Sequence, residues 1–225
     1  MDKLYAQFIA PGDLVFDIGA HVGDRVAAFR RRGARVVAVE PQAALHRVLR
    51  VLFGRDSHVA IVRSAIGRVS GTAEMRINLD NPTLSTLSDD FIAAGREAVG
   101  WQGESWPTSL EVPVTTLDAL IDGHGKPAFV KLDIEGFEAE ALSGLSQAVP
   151  ALSFEFTTIQ RAVALECLER CAALGYTQFN AAIGESQALG AWRAANAMAD
   201  WLAAVPHTAN SGDIYARAPR GRLKP

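Results

Sequence analysis

Asp17-Ile-Gly-Ala-His-Val-Gly-Asp24, followed by Arg35-Val-Val-Ala-Val-Glu40-Pro41, is the stretch that decides the fold. Leu14-Val-Phe-Asp17 reads as a short buried strand, Gly19 and Gly23 as a tight turn, and Val22, Val26 and Phe29 as the apolar face of a following helix. Val36 to Val39 is then a second strand with Glu40 at its tip. In a β-α-β unit a carboxylate there lies beside the first turn, where it can accept hydrogen bonds from both hydroxyls of a ribose.

Two ligand classes use such a turn. A dinucleotide site needs Gly-x-Gly-x-x-Gly so that the backbone can touch a pyrophosphate. This chain has Gly19-Ala-His-Val-Gly23 instead, without the third glycine, and Asp17 adds an acidic group at the strand end. Negative charge there repels a diphosphate and attracts a ligand carrying an amino group and a sulfonium. The turn therefore reads as the opening half of an S-adenosylmethionine pocket. The blander alternative, a strand-turn-helix whose glycines only relieve steric strain, does not account for the spacing to Glu40.

The chain has 225 residues, 49% of them hydrophobic, enough for one sizeable domain spanning 1–225 and short for two. A net charge of -3 argues against a nucleic-acid partner. The cluster Arg30, Arg31, Arg32 and Arg35 falls at the end of the first helix, where cations offset the helix dipole. No window approaches the roughly 18 apolar residues of a membrane span, and the N-terminus lacks a secretory pattern, so a soluble cytoplasmic protein is expected. Cys167 and Cys171 lie one helical turn apart within an apolar stripe and read as buried free thiols.

Strand-like and helical runs alternate, the pattern of a parallel sheet with helices on both faces. Leu45, Val48, Leu49 and Leu52 mark a helix, Val59 to Val62 a third strand, and Ser64-Ala-Ile-Gly67 its end, near the adenine. Gly71 to Asn78 alternates and suits an extra strand at an edge. Residues 78–110 then break the rhythm, with a weak helical patch from Asp89 to Val99 and Trp101 and Trp106 among glycines and a proline. So long a segment without strong periodicity is expected to be a substrate cap. The tryptophans either stack on a flat-faced substrate or pin the insertion to the body.

Leu110 to Thr115 resumes the alternation, Thr115 or Thr116 caps a short helix through Ile121, and Ala128 to Asp133 reads as a central strand. After a helix carrying Phe137, Ala141, Leu142 and Leu145 comes the strand Ala151 to Phe156, and Thr157 with Gln160 is expected to form a capping box for the helix that ends at Gly175. Tyr176 to Ala182 and Ile214 to Ala218 suit a final antiparallel pair around a helix through Trp192, Met198 and Trp201.

Lys131-Leu-Asp133-Ile-Glu135-Gly136 places three ionisable side chains on alternate positions at the end of that central strand. A period of two sends them to one side, and the carboxyl ends of parallel strands line the ligand crevice of open α/β sheets. The competing reading is a buried pair in which Lys131 simply neutralises Asp133 or Glu135.

Phe129-Val-Lys-Leu-Asp-Ile-Glu-Gly-Phe-Glu138, together with Asp17 to Gly23, Val39-Glu-Pro41, Ser64 to Gly67 and Val114-Thr-Thr-Leu-Asp118, resembles the FkbM-type S-adenosylmethionine-dependent methyltransferases over about residues 13 to 156. Ser85-Thr-Leu87 resembles the family's small-residue step in the insertion. The resemblance implies a Rossmann-like class I methyltransferase fold: a mostly parallel seven-stranded sheet, helices on both faces and an antiparallel C-terminal strand. It implies S-adenosyl-L-methionine as cofactor, held by Asp17, Gly19, His21, Gly23, Glu40 and Pro41, with Ser64 and Ala65 flanking the adenine and Asp133 to Gly136 facing the transfer site. It further implies O-methylation of a sugar, natural product or cell-surface glycan.

Methyl transfer requires alignment of oxygen, carbon and sulfur and loss of the hydroxyl proton. Asp133 or Glu135 is the simplest base, Glu155 a reserve, and Lys131 an orienting or alkoxide-stabilising cation. His21 reads as a cofactor-side and His124 as a surface histidine. Two carboxylates without further ligands do not specify a metal. The chain departs from the family in its short lead before the first strand and in residues 181–225, which match no motif. An N-methyltransferase lacks support because the Asn/Asp-Pro-Pro-aromatic signature is absent after the central strand. A non-catalytic cofactor-binding partner would bind S-adenosylmethionine without turnover, and a nicotinamide oxidoreductase would bind NADH instead.

Overall fold

The computed structural model describes residues 1–219. Residues 220–225, included in the single-domain expectation, lie outside the described residues. In chain order the elements are α1 (Asp2–Tyr5), β1 (Leu14–Ile18), α2 (Asp24–Arg31), β2 (Arg35–Val39), α3 (Ala43–Phe53), β3 (Val59–Val62), β4 (Ala65–Ile66) and β5 (Gly71–Ile77). There follow α4 (Asp89–Glu97), β6 (Thr108–Thr115), α5 (Leu117–His124), β7 (Phe129–Leu132), α6 (Glu138–Ser143) and β8 (Ala151–Thr157). The C-terminal part holds α7 (Arg161–Ala173), β9 (Gln178–Ile183), α8 (Ala195–Ala204) and β10 (Ser211–Arg217).

Seven strands form the main sheet in the order β3-β2-β1-β7-β8-β10-β9. All neighbours are parallel except at β10, which runs antiparallel to both β8 and β9. The central strands read as continuous apolar runs because both faces are covered: β1, β7 and nearly all of β8 are buried end to end. Phe16, Leu132, Leu152 and Phe154 pack on α5, α6 and α7 on one face, while Val15, Val36 and Phe129 pack on α1 and α2 on the other. Each such side chain contributes roughly 1.5–3 kcal/mol through burial. The sheet is thereby a fixed platform for the loops at its carboxyl ends.

Three expectations about elements change. Gly71–Ile77 and Leu110–Thr115 do form strands, but away from the main sheet: β4, β6 and β5 make a second, three-stranded sheet. Its own small core is Ala65, Met75 and Val112, and most of β6 is exposed, so these strands have too little apolar surface to insert among the buried ones. Thr157 ends β8 rather than capping α7, whose N-cap, Gln160, accepts no side-chain hydrogen bond. On α3 only Leu45 and Leu49 are buried, while Val48 and Leu52 face solvent. The helix lies on the sheet through a narrower stripe than its sequence suggests.

Other local readings are realised. Thr116 caps α5 by accepting from the Ala119 amide. Gly175, with φ of 96°, closes α7 in a Schellman turn, its amide donating to Ala172 and that of Tyr176 to Cys171. Cys167 and Cys171 are free and buried. Arg30 pairs with Asp56 and Arg31 with Asp2, which accounts for half the arginine cluster as an ion-paired helix end. Among the described residues no helix is long and apolar enough to cross a membrane.

Candidate functional site

A cavity of about 310 Å³ opens at the carboxyl ends of β1, β2, β7 and β8, within the usual size range of small-molecule sites. Gly19, His21, Glu40, Pro41, Ser64, Ala65, Asp133, Glu135 and Glu155 all line it. Asp17, Gly23 and Lys131 do not; they stand behind its wall.

The first wall comes from the turn between β1 and α2. Gly19 has φ of 82°, and a Cβ there would lie 1.9 Å from the Asp133 carbonyl oxygen, so only glycine lets the turn touch the loop after β7. Gly23, with φ of 93°, starts α2; a Cβ there would meet the Phe53 ring at 2.4 Å. His21 is itself left-handed, and its amide donates to Glu40 Oε2 at 3.1 Å while the Gln42 amide donates to Oε1 at 2.8 Å. Two backbone donors therefore aim the Glu40 carboxylate, and each oxygen keeps acceptor capacity toward the cavity. Burial nevertheless pushes the Glu40 carboxyl up to about 7, because the two amides offset only part of the lost hydration. Burial also holds the His21 imidazole toward its neutral form. The Ser64 hydroxyl lies 2.9 and 3.0 Å from the carbonyls of Ala65 and Pro113, between which its one hydrogen is shared.

Strand register explains the opposite wall. Asp17, Lys131, Ser153 and Tyr215 are successive partners across β1, β7, β8 and β10, and so share one row on one face. One step further along lie Asp133 and the pair Glu155–Asp213. Lys131, 1% exposed, extends from the first row into the second: Nζ lies 2.6 Å from Asp133 Oδ2 and 3.5 Å from Asp213 Oδ1. Tyr215 in turn donates to Asp213 Oδ2 at 3.2 Å. Lys131 is thus a buried ion-pair partner below the cavity. It touches the cavity only through Asp133, whose side chain is 36% exposed.

Charge separates the carboxyls. Burial raises Asp133, but the Lys131 ammonium against it, together with the Arg25 charge and a hydrogen bond from Glu155, leaves the carboxyl below its ordinary value. Lys131 is raised in return, since Asp133 and Asp213 more than offset its burial. Glu135 and Glu155 are both pushed well up, by burial first and by neighbouring carboxylates second. One oxygen from each of Asp133, Glu135 and Glu155 lies within 4.8 Å of the others. The Lys131 ammonium stands beside this cluster, in which Asp133 is held below its ordinary value while Glu135 and Glu155 are held above theirs. Asp17, fully buried with Oδ2 unpaired, is pushed up to about 7 by burial. The full negative charge read into it from the sequence is therefore reduced, and it acts on the cavity only from behind.

The loop after β7 leaves the period-two pattern. Its strand ends at Leu132, and Glu135 is left-handed with φ of 55°. Glu138, buried, holds this loop by accepting from the Ile134 amide at 2.9 Å and the Gly136 amide at 3.1 Å. From the other side Thr86 Oγ1 donates to the Glu135 carbonyl at 2.7 Å. Glu155 lies within β8 rather than at its end, because β10 pairs along the whole strand. Asp213 carries no sequence signal of a role, while Glu138 and Thr86 sit in the quoted runs Phe129 to Glu138 and Ser85 to Leu87 without being singled out there.

The 78–110 segment reaches the cavity through Pro82, Thr83, Ser85 and Leu87. Its tryptophans do not. Trp101 and Trp106 meet the buried Phe91 of α4 edge-on at 5.5 and 6.5 Å, and Trp106 Nε1 donates to the Leu84 carbonyl at 2.7 Å. They pack within the insertion, against its own Phe91 and Leu84, rather than on the cavity or on the body. His124 is exposed and outside the cavity.

Residues 17–180 match the family model described as the methyltransferase FkbM domain. Among solved structures the chain is similar to a TehB-like S-adenosylmethionine-dependent methyltransferase from Corynebacterium glutamicum, with 12% identity, a TM-score of 0.50, and 97% of this chain and 86% of that one covered. It is also similar to a precorrin-6y C5,15-methyltransferase from Geobacter metallireducens, with 12% identity, a TM-score of 0.46, and 96% and 86% covered. A third is an S-adenosylmethionine-dependent O-methyltransferase from Thermotoga maritima, with 12% identity, a TM-score of 0.47, and 99% and 65% covered. At such identities the likeness concerns the fold alone. No curated protein matches the sequence significantly.

Proposed function

The chain belongs to the FkbM family of S-adenosylmethionine-dependent methyltransferases, and from that premise we propose that it methylates a hydroxyl group of a small molecule, sugar or glycan. The observation that carries this reading is the convergence of Glu40 and Asp133, from strands on either side of β1, on one cavity closed by the Gly19 turn. When bound, the donor supplies an electrophilic methyl carbon on a sulfonium. Glu40 accepts hydrogen bonds from the ribose hydroxyls, and Ser64 and Ala65 line the adenine end. Asp133 is the base. It is the carboxylate that its surroundings keep ionised, so it can take the hydroxyl proton, while Glu135 and Glu155, held toward neutral, are suited to donate hydrogen bonds to the acceptor. Lys131 orients Asp133 rather than touching the acceptor. Residues 78–110 form the acceptor-side cap, presenting Thr83, Ser85 and Leu87 to the cavity.

The test combines turnover and binding. With labelled donor and a panel of hydroxylated sugars and polyketides, the wild type should label an acceptor oxygen. Asp133→Ala should lower turnover by about 10²–10⁴-fold while donor affinity by calorimetry stays within a few-fold. Retained turnover would remove Asp133 from the role of base, and label recovered on nitrogen would replace the hydroxyl reading.

A further inference from the structure

The carboxylates along the cavity wall suit the sulfonium and ammonium of the donor, but the donor's methionyl end also carries a carboxylate. Six acidic residues, Asp24, Glu40, Asp133, Glu135, Glu155 and Glu185, line the cavity, and none supplies the positive charge that this carboxylate needs. Among the described residues lining the cavity, Arg25 is the one lysine or arginine. It is the second residue of α2, directly after the glycine turn, and its side chain is 19% exposed. Arg25 Nη2 donates to both Glu185 oxygens, at 2.8 and 2.9 Å, and its buried Nε has no partner. Glu185, by contrast, is 75% exposed and sits in the short turn Gly184–Ser186 after β9. The pair is unequal. A guanidinium with little solvent around it needs a counter-ion, whereas a solvated glutamate loses little when it is released.

We propose that Arg25 receives the carboxylate of the methyl donor, exchanging Glu185 for it when the donor enters. The inference rests on the donor assignment above and adds the group that recognises the donor's acidic end. It also gives a purpose to Glu185, which lies in the part of the chain beyond the family match. A purely structural role would have the pair only fasten the 184–186 turn to α2.

Calorimetric titration of the full chain with two probes separates these roles. The probes are S-adenosylmethionine and its decarboxylated form, which keeps the sulfonium and the amine. The wild type should prefer the carboxylated donor. Arg25→Met should weaken that donor by about tenfold or more, the worth of one charged hydrogen-bonded contact, and leave the decarboxylated probe within about twofold, erasing the preference. Arg25→Lys should restore part of it. Glu185→Gln, which removes the competing carboxylate but keeps the turn, should tighten the carboxylated donor and leave the other unchanged. Equal weakening of both probes by Arg25→Met, or unchanged binding of the carboxylated donor, overturns the inference alone. A wild type that binds neither probe overturns it together with the donor assignment.

Discussion

The two ends of the cavity use the same functional group and treat it in opposite ways. At the β2 end, Glu40 is gripped by two backbone amides and its carboxyl is still pushed up to about 7. At the β7 end, Asp133 has a lysine ammonium at 2.6 Å and is held below its ordinary value. The difference shows that neutral backbone donors only partly compensate buried charge, whereas a full opposite charge at contact overcomes burial. The β2 end is therefore poised to titrate near neutrality, and the Asp133 carboxyl at the β7 end is held below its ordinary value. Between them lies Gly19, the point where the two loops touch.

Removing the source of that contrast should have the largest effect. Lys131→Met leaves Asp133 and Asp213 facing each other without their shared cation; breaking a buried pair from one side costs about 3 kcal/mol, to be read from urea unfolding. With its counter-charge gone, Asp133 should titrate higher, moving the acid limb of kcat upward in pH. An unmoved limb would break the assignment of Asp133 as the ionised base. Next comes the joint between the two ends. Gly19→Ala combines a left-handed backbone with a Cβ 1.9 Å from the Asp133 carbonyl, and should cost about 2 kcal/mol or more while weakening donor affinity and turnover together. A variant that loses only one of these would show that the two ends are not joined through Gly19.

The β2 end is sharpened by pH. With its carboxyl at about 7, Glu40 should bind ribose best when ionised, so donor affinity should fall as pH drops through neutrality. Glu40→Gln should bind about tenfold more weakly and flatten that dependence in a calorimetric pH series; an equally steep series would place the titration elsewhere. The last contrast lies behind the wall and is read as a slope in pH rather than as a loss of function. Asp17 is raised from 3.8 to about 7 on folding, so the folded chain binds the proton more tightly than the unfolded one. The stability it contributes is full below pH 4 and is lost as pH rises to about 7, by at most about 1.4 kcal/mol per pH unit. Asp17→Asn should make the urea midpoint less sensitive to pH between 5 and 8, and an unchanged slope would show that Asp17 is already ionised in the folded state.

Much of the architecture could be read from local pattern. Buried runs such as Phe129–Leu132 and the turn Gly19–Gly23 carry their signals within a few residues, and Glu40 and Asp133 stand at strand tips that a parallel sheet must bring to one edge. The second sheet was not readable that way. Alternation in Gly71–Ile77 and Leu110–Thr115 marks a strand without saying which sheet it joins, and that choice fell to the competition for buried positions. The tryptophans are a similar case: Trp101 and Trp106 could be singled out, but only their packing on Phe91 places them inside the insertion and away from the cavity.

The order of strands and helices, the glycine turn and the acidic tips of β2 and β7 are legible in the residues alone, because periodicity and backbone conformation are properties of neighbours along the chain. Which carboxyl is held low, and what each charge faces, came from packing in three dimensions. Lys131 meets Asp213, and Arg25 meets Glu185, across long stretches of sequence. Electrostatic energy depends on distance and burial in space, and neither is written in the spacing of residues along the chain.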